Sequence, residues 1–170
     1  LAAGLDTRDQ AKTFIYAFLY GAGDAKIGSI VGGTAKDGKR LKEKFLANTP
    51  ALGDLRERVG LAAGRGYVLG LDRRRVAIRS SHAALNSLLQ SAGAIIMKKA
   101  LCLLHEYATL WGIDFHIIGN IHDEIQTEVR EEKAEVFGRL ATSCVEAAGT
   151  YYKLNCPLAG DYKVGNTWAD

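Results

Sequence analysis

Arg8-Asp9-Gln10-Ala11-Lys12-Thr13-Phe14-Ile15-Tyr16-Ala17-Phe18-Leu19-Tyr20, closed by Gly21-Ala22-Gly23, reads as one helix. Asp6 or Thr7 can cap its start, because a short polar side chain satisfies the unpaired N–H groups of a first turn, and the glycines stop it. Arg8, Lys12, Tyr16 and Tyr20 recur every four residues, so each is turned only about 40° from the last. Phe14 and Phe18 fall on the opposite side and can anchor the helix. That leaves two cations and aromatic rings facing outward, a match for an anionic ligand with a flat ring. A nucleoside triphosphate is such a ligand: Arg binds phosphate bidentately, Lys neutralises it as a point charge, and a tyrosine ring stacks on a base or packs on a sugar. The same spacing also fits a surface stripe of long side chains lying along the protein.

Downstream, a short helix over Asp24 to Val31 ends at Gly32-Gly33. A third runs from about Lys36 to Asn48 with Leu41, Phe45 and Leu46 as its apolar stripe. Pro50 ends or restarts it, and a further helix lies near Ala51 to Ala63. Gly66 to Ile78 reads as two short strands around a basic turn at Arg73-Arg74-Arg75. Ser81 to about Leu110 is Ala/Leu/Ile/Lys-rich and free of proline, long enough for one dominant helix of about eight turns. Phe115 to Ile121 and Glu124 to Val129 read as strands around a tight polar turn, with Ile121 and Ile125 expected in the core. Glu131 to about Tyr152 is a final amphipathic helix.

Two further groups carry chemistry. His82, Asn86 and Gln90 repeat the four-residue spacing on the long helix; amides offer both a donor and an acceptor, which suits base edges in a minor groove, and hydrogen bonding between helices equally well. His122-Asp123-Glu124 places adjacent carboxylates at a turn. Hard oxygens there suit Mg²⁺, which takes one or two carboxylates together with substrate phosphates, although such a turn taken singly is more often only a turn.

Composition narrows the class. With 170 residues, 48% of them hydrophobic, the chain can bury a core, and its two prolines exclude collagenous or linker-like character. No unbroken run of about eighteen apolar residues is present, so no membrane partner is expected. Three widely spaced cysteines without a C-x-x-C pair fit reduced thiols in a cytoplasm. A net charge of +3 permits nucleic acid as a partner without requiring it. The clusters Lys36, Lys39, Arg40, Lys42, Lys44 and Arg73, Arg74, Arg75, with Arg79 nearby, taken alone read as solvated faces.

Taken together, three stretches resemble the family A (DNA polymerase I family) DNA polymerases of the bacteriophage type. Arg8-x-x-x-Lys12-x-x-x-Tyr16-x-x-Leu19-Tyr20-Gly21 resembles the fingers helix called motif B, and Ile121-His122-Asp123-Glu124-Ile125 resembles motif C. Between them, His82 to Gly93 is similar to the helix that contacts the primer-template, and Lys163-Val164-Gly165-Asn166-Thr167-Trp168 resembles the end of phage members. The resemblance implies a helix-rich α+β fold with antiparallel hairpins: a fingers subdomain over 1–78 and the C-terminal part of the palm over 79–170. It also implies partners, namely primer-template DNA, dNTPs and an upstream polymerase portion, in the host cytoplasm.

The resemblance assigns roles as well. Arg8 and Lys12 would meet the triphosphate, with Lys12 a proton donor to pyrophosphate, and Tyr16 would pack on the incoming sugar and base. Tyr20 and Gly21 would lie beside the template base, Asn86 and Gln90 at the terminal base pair, and His82 against the DNA. His122 would reach the primer strand, Asp123 would ligate catalytic Mg²⁺, and Glu124 would sit beside the primer terminus. Motif A, with the other metal-binding aspartate, normally precedes motif B by a few tens of residues, so the chain is expected to be inactive alone. A polymerase-derived DNA-binding module without catalysis is the competing expectation.

Overall fold

The computed structural model describes Leu5 and residues 7–168. The fold is α+β and helix-rich, with two small antiparallel sheets, and its contacts divide it into two compact units, Leu1–Gln90 and Ser91–Asp170.

The first unit begins with α1 (Arg8–Leu19). Thr7 caps it, its Oγ accepting the Gln10 N–H at 3.2 Å, while Asp6 lies outside the described residues. Helices α2 (Asp24–Ile30), α3 (Ala35–Asn48) and α4 (Pro50–Ala63) follow. Pro50 starts α4 at a position where its missing N–H costs no helical bond. Phe14, Phe18, Ile27 and Phe45 form the buried centre of this helical group. Helices α2 and α3 approach so closely that a Cβ at Gly28 or Gly38 would stand 1.9 Å from a backbone oxygen of the other segment. Strands β1 (Tyr67–Leu69) and β2 (Arg75–Ala77) pair antiparallel. Val59, Val68, Ala84 and Leu85 make a second buried cluster.

A single 3-10 turn, Ser81–Ala83, leads into α5 (Ala84–Leu110). His82 therefore sits in that turn and not on the α-helix, where the four-residue spacing had put it. The sequence shows no unbroken apolar run here, since Asn86, Gln90, Lys98, Lys99, His105 and Glu106 interrupt it. By overall length and composition the helical run Ser81–Leu110 is nevertheless apolar enough to cross a membrane, a test that the buried core helix of a soluble protein also passes; 22% of its most apolar stretch is buried.

In the second unit, β3 (Phe115–Ile121) pairs antiparallel with β4 (Glu124–Val129), and α6 (Glu131–Tyr151) follows. Leu104, Ala108, Ile113, Phe137, Leu140 and Cys144 are buried together, with Phe115 and Val129 against them. The ladder is irregular between Ile117 and Gly119, which leaves Ile118 67% exposed. Ile121 is not in the core as expected: it is 39% exposed, and Ile125 is only half-buried. A hairpin has two faces, and strand alternation says which residues share a face without saying whether another element covers it.

After α6 the chain turns at Lys153 (φ 53°) and returns along that helix as an irregular strap. Leu158 packs on Gly149, and the Tyr162 ring lies on Gly138, where a Cβ would come within 2.2 Å of the ring. The Tyr162 hydroxyl donates to Glu135 at 2.7 Å. Positions 135, 138, 142 and 149 share one helix face, so the two glycines form a channel along it. Gly138→Ala is expected to lift Tyr162 off α6 and cost about 1–3 kcal/mol, read by urea unfolding. Unchanged stability would contradict this packing.

Candidate functional site

The rotation of α1 is set by its buried side. Phe14 is wholly buried and Phe18 nearly so, and both rings meet the Phe45 ring edge-on with centroids 5.2 Å apart. The Arg56 guanidinium lies over the Phe18 ring, 5.4 Å from its centroid. Arg8 and Lys12 are consequently exposed, as are Tyr16 at 54% and Tyr20 at 58%. Rings and cations thus share a solvent-facing side that the helix core cannot absorb.

The end of α1 is held by a residue the sequence reading missed. Lys42, placed among solvated charges, has a side chain only 15% exposed; its Nζ donates to the Ala22 carbonyl at 2.6 Å and to Asp24 Oδ1 at 2.9 Å. A signal existed: Lys42 falls between Leu41 and Phe45 within the apolar stripe of α3. The hydrogen bond from Lys42 holds the Asp24 carboxyl below the usual carboxylate range. Other members of the basic clusters are paired locally, Lys39 with Glu43, Arg40 with Asp37, and Arg74 with Asp72. At the basic hairpin, Arg65 and Arg75 lie over the Tyr67 ring at 5.7 and 4.8 Å.

Two sequence-predicted groups meet in this unit. Gly21 adopts φ +76°, and a Cβ there would stand 2.6 Å from the His82 carbonyl oxygen. Only glycine combines that backbone with such an approach. The end of α1 therefore abuts the turn from which α5 begins; Asn86, one turn on, is half-buried, and Gln90 is exposed.

In the second unit His122, Asp123 and Glu124 are all exposed at the β3–β4 turn. The register pairs Ile121 with Glu124, leaving a two-residue loop whose first member, His122, has φ +55°. A non-glycine residue there costs about 1–3 kcal/mol, held by the hairpin around it. Glu124 is tied down: its Oε1 accepts from the Trp168 indole N–H at 3.2 Å and also from the Gln126 amide. Trp168 too escaped the sequence reading as a site residue; only its place in a terminal motif was noticed.

Among the described residues no three His, Cys, Asp or Glu side chains gather closely enough to hold a metal. Asp123, exposed in the two-residue turn, has the chemistry of one hard-oxygen ligand, and Mg²⁺ characteristically completes its shell with water and substrate phosphate. The three cysteines are free, and burial pushes the Cys144 thiol up to about 11, as suits a packing residue.

A sequence profile of DNA polymerase family A matches residues 3–170. The DNA-directed DNA polymerase of Escherichia phage T7 is 44% identical over 191 aligned residues, covering 99% of this chain and 27% of that protein. That of Escherichia phage Phieco32 is 42% identical, covering 98% and 28% respectively. The POL domain of Pol1 from M. smegmatis, in complex with DNA primer-template and dNTP, has a similar fold: TM-score 0.75 at 22% identity, covering 83% of this chain and 27% of that one. The chain thus spans a little over a quarter of the length of these relatives.

The Lys42–Asp24 pair has a pH signature. A carboxyl with a depressed folded-state pKa contributes stability above its unfolded value and loses it as pH falls through the folded one. The thermal midpoint should therefore fall below about pH 4, and fall less in Asp24→Asn; circular dichroism melts of both proteins across that range measure it. Equal losses would show that the pair contributes nothing.

Proposed function

The chain belongs to DNA polymerase family A, and on that premise we propose that it supplies the fingers and the C-terminal part of the palm of a phage-type DNA-directed DNA polymerase. Family A DNA polymerases generally use divalent metal ions. The observation that carries the proposal is the α1 face: Arg8, Lys12 and Tyr16 exposed in line, with Phe14 and Phe18 buried behind them.

On this reading the Arg8 guanidinium and Lys12 ammonium bind the triphosphate of the incoming dNTP, and Lys12 hands a proton to the departing pyrophosphate. Tyr16 packs on the sugar and base. Tyr20 and Gly21 border the template base, and the Gly21–His82 approach fixes the end of α1 beside the start of α5. His82, Asn86 and Gln90 meet the primer-template, the two amides reading minor-groove acceptors common to every correct pair. His122 reaches the primer strand, and Glu124 stands beside its 3′ end. Asp123 would hold Mg²⁺, which when bound neutralises triphosphate charge and activates the 3′-hydroxyl in a two-metal arrangement. A carboxylate from a motif A segment would join Asp123 in holding the metal. Residues 1–78 serve as fingers and 79–170 as palm, in phage replication within the host cytoplasm.

Mg²⁺-dependent primer extension tests this, with the chain alone and mixed with an upstream family A fragment carrying motif A. Extension is expected only in the mixture, and Asp123→Asn should reduce it by about 10³-fold. Activity indifferent to that substitution would sink the catalytic assignment; salt-sensitive duplex binding without extension would favour a DNA-binding module. Tyr16 stands where many bacterial members carry phenylalanine, and tyrosine there goes with poor rejection of dideoxynucleotides. Tyr16→Phe should raise the preference for dNTP over ddNTP by at least about tenfold, roughly 1.4 kcal/mol between competing transition states, in a ratio of kcat/KM values.

A further inference from the structure

Glu124 begins β4 beside Asp123, and one of the two donors to its carboxylate lies far away in sequence. The strap after α6 follows the glycine channel, with Leu158 on Gly149 and Tyr162 on Gly138, and is pinned by the Tyr162 hydroxyl on Glu135. Six residues later Trp168 presents its indole N–H to Glu124 Oε1 at 3.2 Å. The Gln126 amide donates to the same oxygen. Both donors are neutral and meet one atom, so they orient the carboxylate without cancelling its charge. Asp123 shares neither donor. Trp168 is 66% exposed, so little apolar burial accompanies this polar contact.

We propose that Trp168 is a positioning residue for Glu124: the strap carries an indole donor to the motif C turn and locks the Glu124 carboxylate in one orientation. Its consequence for catalysis rests on the polymerase reading; the contact itself does not. A glutamate has three rotatable side-chain bonds, and an exposed one at a hairpin end samples many orientations unless hydrogen bonds select one. With Glu124 beside the primer 3′ end, the indole would keep the carboxylate from swinging toward the cation held by Asp123 or away from the primer. Trp168 touches neither substrate nor metal in this scheme and acts only through Glu124.

The contact is tested in the 170-residue chain, whose two tryptophans give two indole N–H resonances. The Trp168 signal, identified by its loss in Trp168→Phe, should move in Glu124→Ala, and the Trp111 signal should not. The consequence is tested by single-turnover extension with the complete polymerase carrying these residues. Trp168→Phe should lower the maximal rate about tenfold, as loss of a hydrogen bond to a charged group implies, with dNTP affinity kept within about twofold. In a Glu124→Ala background the same substitution should add nothing. Tyr162→Phe, which removes one pin of the strap but keeps the indole, should lower stability and slow the rate by clearly less than Trp168→Phe does.

An unmoved Trp168 resonance, additive rate losses, or a Tyr162→Phe enzyme as slow as Trp168→Phe would each overturn the proposal. A wild-type enzyme that never extends a primer would count against the polymerase reading, while the indole resonance still decides the contact.

Discussion

Phe14 and Phe18 occupy one side of α1, and the edge-on meeting of their rings with Phe45 determines how that helix is rotated about its own axis. Each buried phenylalanine is worth about 1.5–3 kcal/mol of transfer free energy, and each aromatic pair adds about 0.5–1.5 kcal/mol. A rotation large enough to hide Arg8, Lys12 and Tyr16 would expose both rings and lose several kcal/mol. The outward presentation of cations and tyrosines therefore follows from the core behind them and requires no contact of their own. Lys42 adds to the constraint by fastening Ala22 and Asp24, so that the turn after Tyr20 and Gly21 is tied to α3.

The second unit solves a different problem. A two-stranded hairpin is weak by itself, and its tip carries His122 in a left-handed conformation. Support comes at its base, where Phe115 and Val129 join the Phe137 cluster, and at its tip, where Trp168 reaches Glu124. Helix α6 serves both ends: its apolar face seals the core, and its glycine channel guides the strap back toward the turn.

How much of this was legible in sequence depended on distance along the chain. Thr7 as a cap, Phe14 and Phe18 as anchors and the limits of β3 and β4 rest on signals within a few residues, and the structure bears them out. Ile121 was misread because alternation tells which residues share a face, and does not tell whether anything covers that face. His82 was misplaced because a four-residue spacing cannot distinguish an α-helix from a 3-10 turn that feeds one. Lys42 was misread as solvated although its position in an apolar stripe could have been noticed.

By itself the sequence determined the helices and hairpins, the outward row Arg8, Lys12, Tyr16 and Tyr20, and the family, because each follows from local periodicity or from ordered motifs. Tertiary structure alone decided that Gly21 abuts His82, that Lys42 grips the loop after α1, and that Trp168 reaches Glu124. Those contacts join residues 20 to 61 positions apart in the chain. No local pattern encodes them, since they depend on where packing brings separate elements and on gaps, such as that over Gly138, which exist only once the chain has folded.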